Sequence, residues 1–217
     1  MFDRRARELC RPVLDGAGEG LARLGVGANA VTAAGWLVGA GACVALGFRW
    51  WAAALVLWLG NRTLDGLDGA LARRRGVSDF GGYLDLLADF SVYAGFVVAL
   101  AVAEPATRLS GAVLLLSYYL SGTALLAASA LLERRGAGRF DDRSISFLGG
   151  LAEGLETIVA YVVILIVPSV ASLVEWIFAA MVLVTALQRV TWARRALRVG
   201  PVPALEPETI RPARGPS

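Results

Sequence analysis

Residues 65–89 read DGLDGALARRRGVSDFGGYLDLLAD, with four carboxylates, Asp65, Asp68, Asp85 and Asp89, set among small and apolar residues. Ionisable groups inside or at the edge of a bilayer are costly, by roughly 2.5–3.5 kcal/mol each on insertion scales. Four of them in one hairpin need a partner that neutralises them, and a divalent metal is the simplest candidate. The stretch therefore predicts a metal-dependent active site.

The spacing of the four aspartates predicts two antiparallel helices with facing acidic surfaces. Asp65 and Asp68 are three residues apart, and Asp85 and Asp89 are four apart, so each pair shares one helix face. Small residues leave space beside the carboxylates, and an arginine just past them is placed to meet a phosphate: Gly69, Ala72, Gly81 and Arg73. Carboxylates, divalent metals and an arginine are the usual parts of phosphoryl-transfer sites.

Any one of these aspartates has an alternative interpretation as a solvated helix cap or as a partner for a nearby arginine. Four at these spacings, interleaved with Gly and Ala, favour a shared site. The chain has no His, so a metal would be held by oxygen ligands, which favours Mg²⁺ or Mn²⁺ over zinc or iron. Arg62 is interpreted either as a charge partner for Asp65 or as a contact for a lipid phosphate.

The rest of the chain is predicted to lie largely in a membrane. Hydrophobic residues make up 57% of the 217 residues, and the mean hydropathy of +0.62 is too high for a soluble domain of this size. Six apolar runs are near the length needed to cross a bilayer: 28–48, 50–64, 84–103, 109–132, 145–167 and 171–192. The predicted fold is an all-α integral membrane protein with six transmembrane helices.

The two ends of the chain are predicted to differ from its centre. Residues 1–24 interleave apolar residues with Arg and Glu, which predicts an amphipathic helix in the membrane interface. A transmembrane catalytic domain then occupies 25–199, and the Pro-rich tail at 200–217 is predicted to be disordered.

The arginines predict the orientation of the helices. All 21 basic residues are Arg, and they concentrate at both termini and in the second and fourth connections. The positive-inside rule places these segments, and with them the acidic hairpin, on the cytoplasmic side of the cell's inner membrane. The net charge of +3 argues against nucleic-acid binding, since topology and anionic lipid explain the basic residues.

At the acidic hairpin the chain resembles the CDP-alcohol phosphotransferase (CDP-alcohol phosphatidyltransferase) family. The family signature is Asp-x-x-Asp-Gly-x-x-Ala-Arg, a spacer, and Gly-x-x-x-Asp-x-x-x-Asp. Every position is filled, by Asp65, Asp68, Gly69, Ala72, Arg73, Gly81, Asp85 and Asp89. The spacer between Arg73 and Gly81 is one departure, with seven residues where the family usually has eight. This shortening falls in the turn, where it should alter the loop rather than remove a ligand.

The resemblance implies roles that the spacing alone does not assign. Asp65, Asp68 and Asp85 would bind two divalent ions, Mg²⁺ or Mn²⁺, which bridge the diphosphate of a CDP-linked lipid. Asp89 would be the general base that takes the proton from the acceptor hydroxyl, and it would also be within reach of a metal.

The resemblance also implies a binding site for the CDP donor. Gly69 and Ala72 would leave space for the cytidine, Arg73 would hold the diphosphate, and Gly81 would lie beside them. Asn29 and Thr32 match an Asn/Thr pair that the family has near the nucleotide, although a plain cap of the first helix explains Asn29 almost as well.

The acceptor site is less defined. Arg143 and Arg189 match places where relatives hold the phosphate of the acceptor, but anchoring at the membrane surface is an equal alternative for each. Glu153 and Glu156 lie three residues apart and should face the protein interior. They either pair with the arginines as a structural network or bind the hydroxyls or an amine of the acceptor.

The predicted function is transfer of a phosphatidyl group from CDP-diacylglycerol to the hydroxyl of a polar alcohol, with release of CMP. The resemblance further implies a homodimer. One alternative is transfer of a phospho-alcohol from a CDP-alcohol onto diacylglycerol, and another is a cardiolipin-type reaction with phosphatidylglycerol as the acceptor. A cation-coupled membrane transporter is the alternative from a different class, although paired broken helices are missing from the sequence pattern.

Overall fold

The computed structural model of the chain describes residues 16–23, 25–135 and 154–198. All regular structure in these ranges is helical. A short helical segment at 16–23 precedes six helices: α1 (Ala28–Gly47), α2 (Trp51–Arg75), α3 (Asp79–Ala103), α4 (Arg108–Arg134), α5 (Gly154–Ile166) and α6 (Ala171–Arg198). Single 3₁₀ turns, Pro105–Thr107 and Pro168–Val170, lead into α4 and α6.

Four of the described helices, α1, α3, α4 and α6, are long and apolar enough to cross a membrane. The apolar helix α5 is shorter, with 13 described residues. Helix α2 begins apolar and becomes polar without a break, because its second half carries the first two aspartates of the acidic hairpin. The chain is an all-helical membrane protein.

Helix α1 packs closely against α2 and α3 because glycines lie where the helices meet. A Cβ atom on Gly39 would stand 2.7 Å from Cγ2 of Val92 on α3 and 2.9 Å from the side-chain nitrogen of Asn61 on α2. A Cβ on Gly35 would stand 3.3 Å from Leu64. Small residues at helix crossings allow this approach in membranes. The packing carries α1 to the side of the acidic hairpin.

An aromatic cluster fills the space between α2, α3 and α5. Trp58, Phe96 and Tyr161 are all fully buried, and the rings of Phe96 and Tyr161 stack with centroids 3.8 Å apart. The Tyr161 hydroxyl donates to the backbone oxygen of Tyr93 at 3.1 Å and lies 2.9 Å from the hydroxyl of Tyr118. The cluster fixes α3 relative to α2 just below the acidic residues.

The start of α1 differs from the sequence expectation. Asn29 was expected as a possible cap, but the N-cap residue is Gly27, which has extended backbone and makes no side-chain cap bond. Asn29 is the second residue of the helix, so its side chain is directed elsewhere. The expected interfacial helix at 1–24 falls mostly outside the described residues, as does the tail at 200–217.

Candidate active site

Three of the four predicted carboxylates come together at the polar end of α2. One carboxylate oxygen from each of Asp65, Asp68 and Asp85 lies within 4.8 Å of the other two. The helical spacing puts Asp65 and Asp68 on one face of α2, and after the short turn at 76–78 the chain returns as α3 with Asp85 near them. An all-oxygen donor set of carboxylates fits Mg²⁺ or Mn²⁺. Asp68 is the most enclosed, with 6% of its surface exposed.

The fourth carboxylate, Asp89, is paired with an arginine instead. Its Oδ1 accepts a hydrogen bond of 2.9 Å from Nη2 of Arg62. The same guanidinium approaches Asp65, with Nη1 3.6 Å from Oδ2. The four carboxylates are thus divided into a group of three and a single arginine-bound member, with Asp65 facing both. Of the two alternatives for Arg62, the structure supports the charge partner.

Arg62 is held by an unusually complete set of contacts. Its Nε donates to the side-chain oxygen of Asn61 at 2.9 Å, and Nη1 donates to the hydroxyl of Tyr93 at 2.7 Å. Its Cζ lies 5.1 Å from the ring centroid of Trp58 and 4.9 Å from that of Tyr93, which are cation–π distances. The side chain is only 7% exposed.

The first turns of α1 close another side of the site. Thr32 is buried, and its hydroxyl donates to the backbone oxygen of Ala28 and also interacts with the Asp68 carboxylate. One turn earlier, the side-chain oxygen of Asn29 lies 3.0 Å from the position that a Cβ on Gly81 would occupy. The residues of the predicted Asn/Thr pair therefore both meet the acidic hairpin.

The small residues of the motif leave unequal amounts of space. A Cβ on Gly69 would have one neighbour within 4 Å among the described residues, Nη1 of Arg73 at 3.4 Å. A Cβ on Gly81 would be crowded, because the Oγ of Ser78 would be 2.9 Å away. Ser78 caps α3 by accepting from the Gly81 backbone N–H at 3.1 Å. Ala72 is half-buried, and Arg73 is exposed beside the open space at Gly69.

Two of the four predicted acceptor residues, Arg143 and Glu153, lie outside the described residues. Arg189 on α6 donates from Nη1 to the Ser121 backbone oxygen at 3.0 Å and to its hydroxyl at 2.8 Å, so it joins α6 to α4. Glu156 is half-buried at a groove of about 410 Å³ between α5 and α6, whose other walls are apolar.

Sequence reasoning missed the surroundings of Arg62. Asn61, at the boundary between the apolar and polar halves of α2, donates to the Gly35 backbone oxygen at 2.8 Å and accepts from Arg62. Tyr93 lies four residues after Asp89, one turn further along α3. Two signals in the sequence could have indicated these contacts. One is the polar pair Asn61 and Arg62 directly after an apolar run, and the other is Tyr93 one helical turn after Asp89.

Three comparisons place the chain among known proteins. A family model described as CDP-alcohol phosphatidyltransferase matches residues 26–188. The inner membrane protein YnjF of Escherichia coli (strain K12) is 37% identical over 196 residues, which cover 88% of this chain and 94% of that protein.

Crystal structures of Mycobacterium tuberculosis phosphatidylinositol phosphate synthase (PgsA1) share the fold. The complex of that enzyme with manganese and citrate superposes with a TM-score of 0.67 at 20% identity, and the match covers 83% of this chain and 88% of that one. The structure of the same enzyme with CDP-DAG bound superposes with a TM-score of 0.67 at 20% identity. This match covers 84% of this chain and 94% of that one.

Proposed function

Since the chain belongs to the CDP-alcohol phosphatidyltransferase family, we propose that it transfers a phosphatidyl group from CDP-diacylglycerol to the hydroxyl of a polar alcohol and releases CMP. The observation that carries the proposal is the convergence of Asp65, Asp68 and Asp85 beside Asp89. The fold match to an enzyme solved with CDP-DAG bound is consistent with it.

The three grouped carboxylates, Asp65, Asp68 and Asp85, fit divalent ions, Mg²⁺ or Mn²⁺, and are proposed to hold two of them, with Asp89 as a further ligand. A bound divalent cation supplies positive charge for the donor diphosphate and for the leaving CMP. The manganese complex of the structurally similar enzyme supports this choice of metal.

Asp89 is proposed as the general base. It would accept the proton of the acceptor hydroxyl while that oxygen bonds to the phosphorus that carries diacylglycerol. The bond from this phosphorus to the oxygen of CMP breaks, and CMP leaves as an anion. A carboxylate has two oxygens, and the bond from Arg62 occupies Oδ1 of Asp89, so Oδ2 is the atom proposed to take the proton.

The donor site is proposed along the edge formed by α1, α2 and α3. Asn29 adjoins Gly81 beside the turn between the acidic helices, and Thr32 lies one helical turn further along α1. The open space at Gly69 and Ala72 would take the cytidine, and exposed Arg73 would meet the diphosphate. The diacylglycerol part would then extend between helices into the bilayer.

The acceptor is proposed to bind near Arg189 and Glu156, together with Arg143 and Glu153. A phosphate-bearing alcohol would use the arginines, whereas a polyol or an amino alcohol would use the glutamates. Two observations support this proposal: Glu156 borders a groove between α5 and α6, and Arg189 lies on α6, where it bonds to Ser121.

The proposed arrangement in the membrane has six transmembrane helices in a catalytic domain at 25–199. An interfacial helix at 1–24 precedes it, and a disordered tail at 200–217 follows. Both termini and the active site would face the cytoplasm, on the grounds of the arginine distribution. The functional unit is proposed to be a homodimer.

The test is CMP release by purified protein in detergent with CDP-diacylglycerol and Mg²⁺. The acceptors are glycerol 3-phosphate, inositol, inositol phosphate, serine and phosphatidylglycerol, each assayed with and without EDTA. Acceptor-dependent release that EDTA abolishes would support the proposal and identify the acceptor. Release only from a CDP-alcohol with diacylglycerol would reverse the donor, and uptake of a solute without CMP release would favour a transporter.

A further inference from the structure

Helix α6 ends in an arginine-rich face that has no part in the proposed reaction. Arg194, Arg195 and Arg198 are exposed and, together with Thr191, line a cavity of about 260 Å³. Residues three and four apart lie on the same side of a helix, so these guanidinium groups can converge on one ligand. The Thr191 hydroxyl donates to the Gln188 backbone oxygen at 2.8 Å. The arginines are therefore the donors that the described lining residues offer to a ligand.

The end of α4 adds positive charge beside this arginine face. Nη1 of Arg135 donates to the backbone oxygen of Leu197 at 2.5 Å, and Arg134 and Arg135 are both exposed. Glu133, in the last turn of α4, is exposed too, but in the part of the chain that the structure describes no carboxylate pairs with an arginine of either helix end. The described residues thus leave this positive charge without a counter-charge, and an anion is the ligand that would offset it.

The length of α6 puts the arginine face at the level of the lipid head groups. The helix has 28 residues and is about 42 Å long, whereas about 20 residues cross a hydrocarbon core of about 30 Å. Since α6 begins at Ala171, directly after the turn at Pro168–Val170, its last two turns extend beyond the core. Trp192 lies at the start of these turns, and tryptophan is enriched at the membrane–water interface.

The surface of α6 below the arginines is apolar and faces away from the protein. Val184 and Leu187 continue the side of the helix that carries Thr191, at spacings of three and four residues, and they are 42% and 66% exposed. Arg189 lies on the opposite side and bonds to α4. A phospholipid would place an acyl chain along this apolar surface and its phosphate at the arginines.

We propose that the arginine face of α6 binds the head-group phosphate of an anionic phospholipid that is not a substrate. Guanidinium groups match phosphate oxygens bidentately, and basic clusters at the ends of transmembrane helices attract anionic lipid. The site is separate from the acidic hairpin, because α6 packs chiefly against α4, whereas the hairpin belongs to α2 and α3.

The test measures lipid binding to purified protein in detergent, followed by energy transfer from tryptophan to a chain-labelled dansyl lipid. The probes are phosphatidylglycerol and phosphatidylcholine, and EDTA is present so that no metal holds a lipid at the acidic hairpin. An arginine at a membrane surface contributes roughly fivefold to the binding of anionic lipid. Arg194→Gln/Arg198→Gln should therefore bind phosphatidylglycerol roughly thirtyfold more weakly than the wild type.

Phosphatidylcholine should bind the wild type and the double variant weakly and equally. Arginines that serve only to orient α6 would give no preference for the charge of the lipid. Equal affinity of the wild type for the two lipids would overturn the inference.

Arg211→Gln/Arg214→Gln is the matched control, because it removes the same charge from the tail that is predicted to be disordered. Its affinity for phosphatidylglycerol should equal that of the wild type. An equal loss in the two double variants would mean that net charge alone attracts the lipid, and would overturn the inference.

Arg198→Gln provides the answer if the double variant does not fold, because it changes the last residue of α6 alone. Its affinity for phosphatidylglycerol should fall roughly fivefold. An unchanged affinity would overturn the inference.

Two further results would place the lipid elsewhere and would also overturn the inference. Asp68→Asn should bind phosphatidylglycerol as the wild type does, and weaker binding would put the lipid in the acidic hairpin. Inorganic phosphate in large excess, at an ionic strength matched with NaCl, should leave the lipid bound. Displacement by phosphate would assign the arginine face to a water-soluble anion.

Discussion

The side-chain oxygen of Asn29 lies 3.0 Å from the point where a Cβ on Gly81 would stand. The Oγ of Ser78, which caps α3, would be 2.9 Å from the same atom. We expect Gly81→Ala to displace both side chains. Loss of the cap should cost about 1 kcal/mol of stability, and displacement of Asn29 should raise KM for CDP-diacylglycerol.

Gly82→Ala is the control for that variant, because nothing lies within 4 Å of a Cβ at the next position of the same helix. In thermal unfolding and CMP-release assays, the Tm and KM of Gly82→Ala should be close to those of the wild type. Indistinguishable behaviour of the two variants would show that the contact between Asn29 and Gly81 does not matter.

Asp89→Asn should abolish turnover while much of the donor binding remains. The amide keeps the shape of the side chain but cannot take a proton from the acceptor hydroxyl. Donor binding is measured with labelled CDP-diacylglycerol, and turnover by CMP release. Asp79→Asn changes an exposed aspartate in the first turn of the same helix and should retain activity. Full activity in Asp89→Asn would remove Asp89 as the base.

Mn²⁺ should stabilise the wild-type protein and should lose most of that effect in Asp68→Asn. A ligand present at a hundred times its Kd stabilises the folded state by about 2.7 kcal/mol. Asp68 is the most enclosed of the three grouped carboxylates, so its loss removes a ligand that solvent cannot easily replace. Thermal unfolding in detergent, with Mn²⁺ and with EDTA, gives the shift. If Mn²⁺ raised the Tm of the wild type and of Asp68→Asn equally, the ion would bind at a site that does not include Asp68.

Gly39→Ala should destabilise the contact of α1 with α2 and α3. The new methyl would stand 2.7 Å from Val92 and 2.9 Å from Asn61, and such overpacking costs about 1–3 kcal/mol. Gly41→Ala, whose nearest neighbour would be 3.7 Å away, is the control. The double variant Gly39→Ala/Val92→Ala should recover part of the loss in Tm. A fully stable Gly39→Ala would contradict the close packing.

Glu175→Gln should leave the protein as stable as the wild type or more so. Glu175 on α6 is 1% exposed, and its Oε2 accepts from the Ser110 hydroxyl at 2.6 Å, but Oε1 has no hydrogen-bond partner among the described residues. A buried charge without full compensation is costly, and a neutral amide can keep the serine bond. Ser110→Ala should instead lower Tm. A marked drop for Glu175→Gln would show that the charge itself is needed.

The sequence was sufficient to predict that the two acidic helix faces would meet. Regular helical spacing and a short turn are local properties, and they bring Asp65, Asp68 and Asp85 together without long-range information. The family and the all-helical membrane class were likewise predictable, from the signature and the apolar runs. The roles of the individual site residues stay predictions.

Other features depend on contacts between distant parts of the chain. Arg62 had two interpretations because only the packing of α2 on α3 puts Tyr93 and Asp89 within its reach. The possible cap at Asn29 was wrong because α1 begins two residues earlier than a cap at that position requires. Glu175 was not singled out, although a lone carboxylate in an apolar run is a recognisable signal.

Helix α2 continues for 25 residues from its apolar start to the arginines that end it, a length of about 37 Å at 1.5 Å per residue. The half that carries the aspartates is therefore a continuous helical extension of the half proposed to lie in the lipid, so the number of residues between them sets the height of the carboxylates above the bilayer centre. One residue inserted among 51–60 would raise Asp65 by about 1.5 Å and turn it by about 100°. The number of residues along α2 thus sets both the depth in the membrane at which Asp65 would meet a lipid head group and the side from which it would meet it.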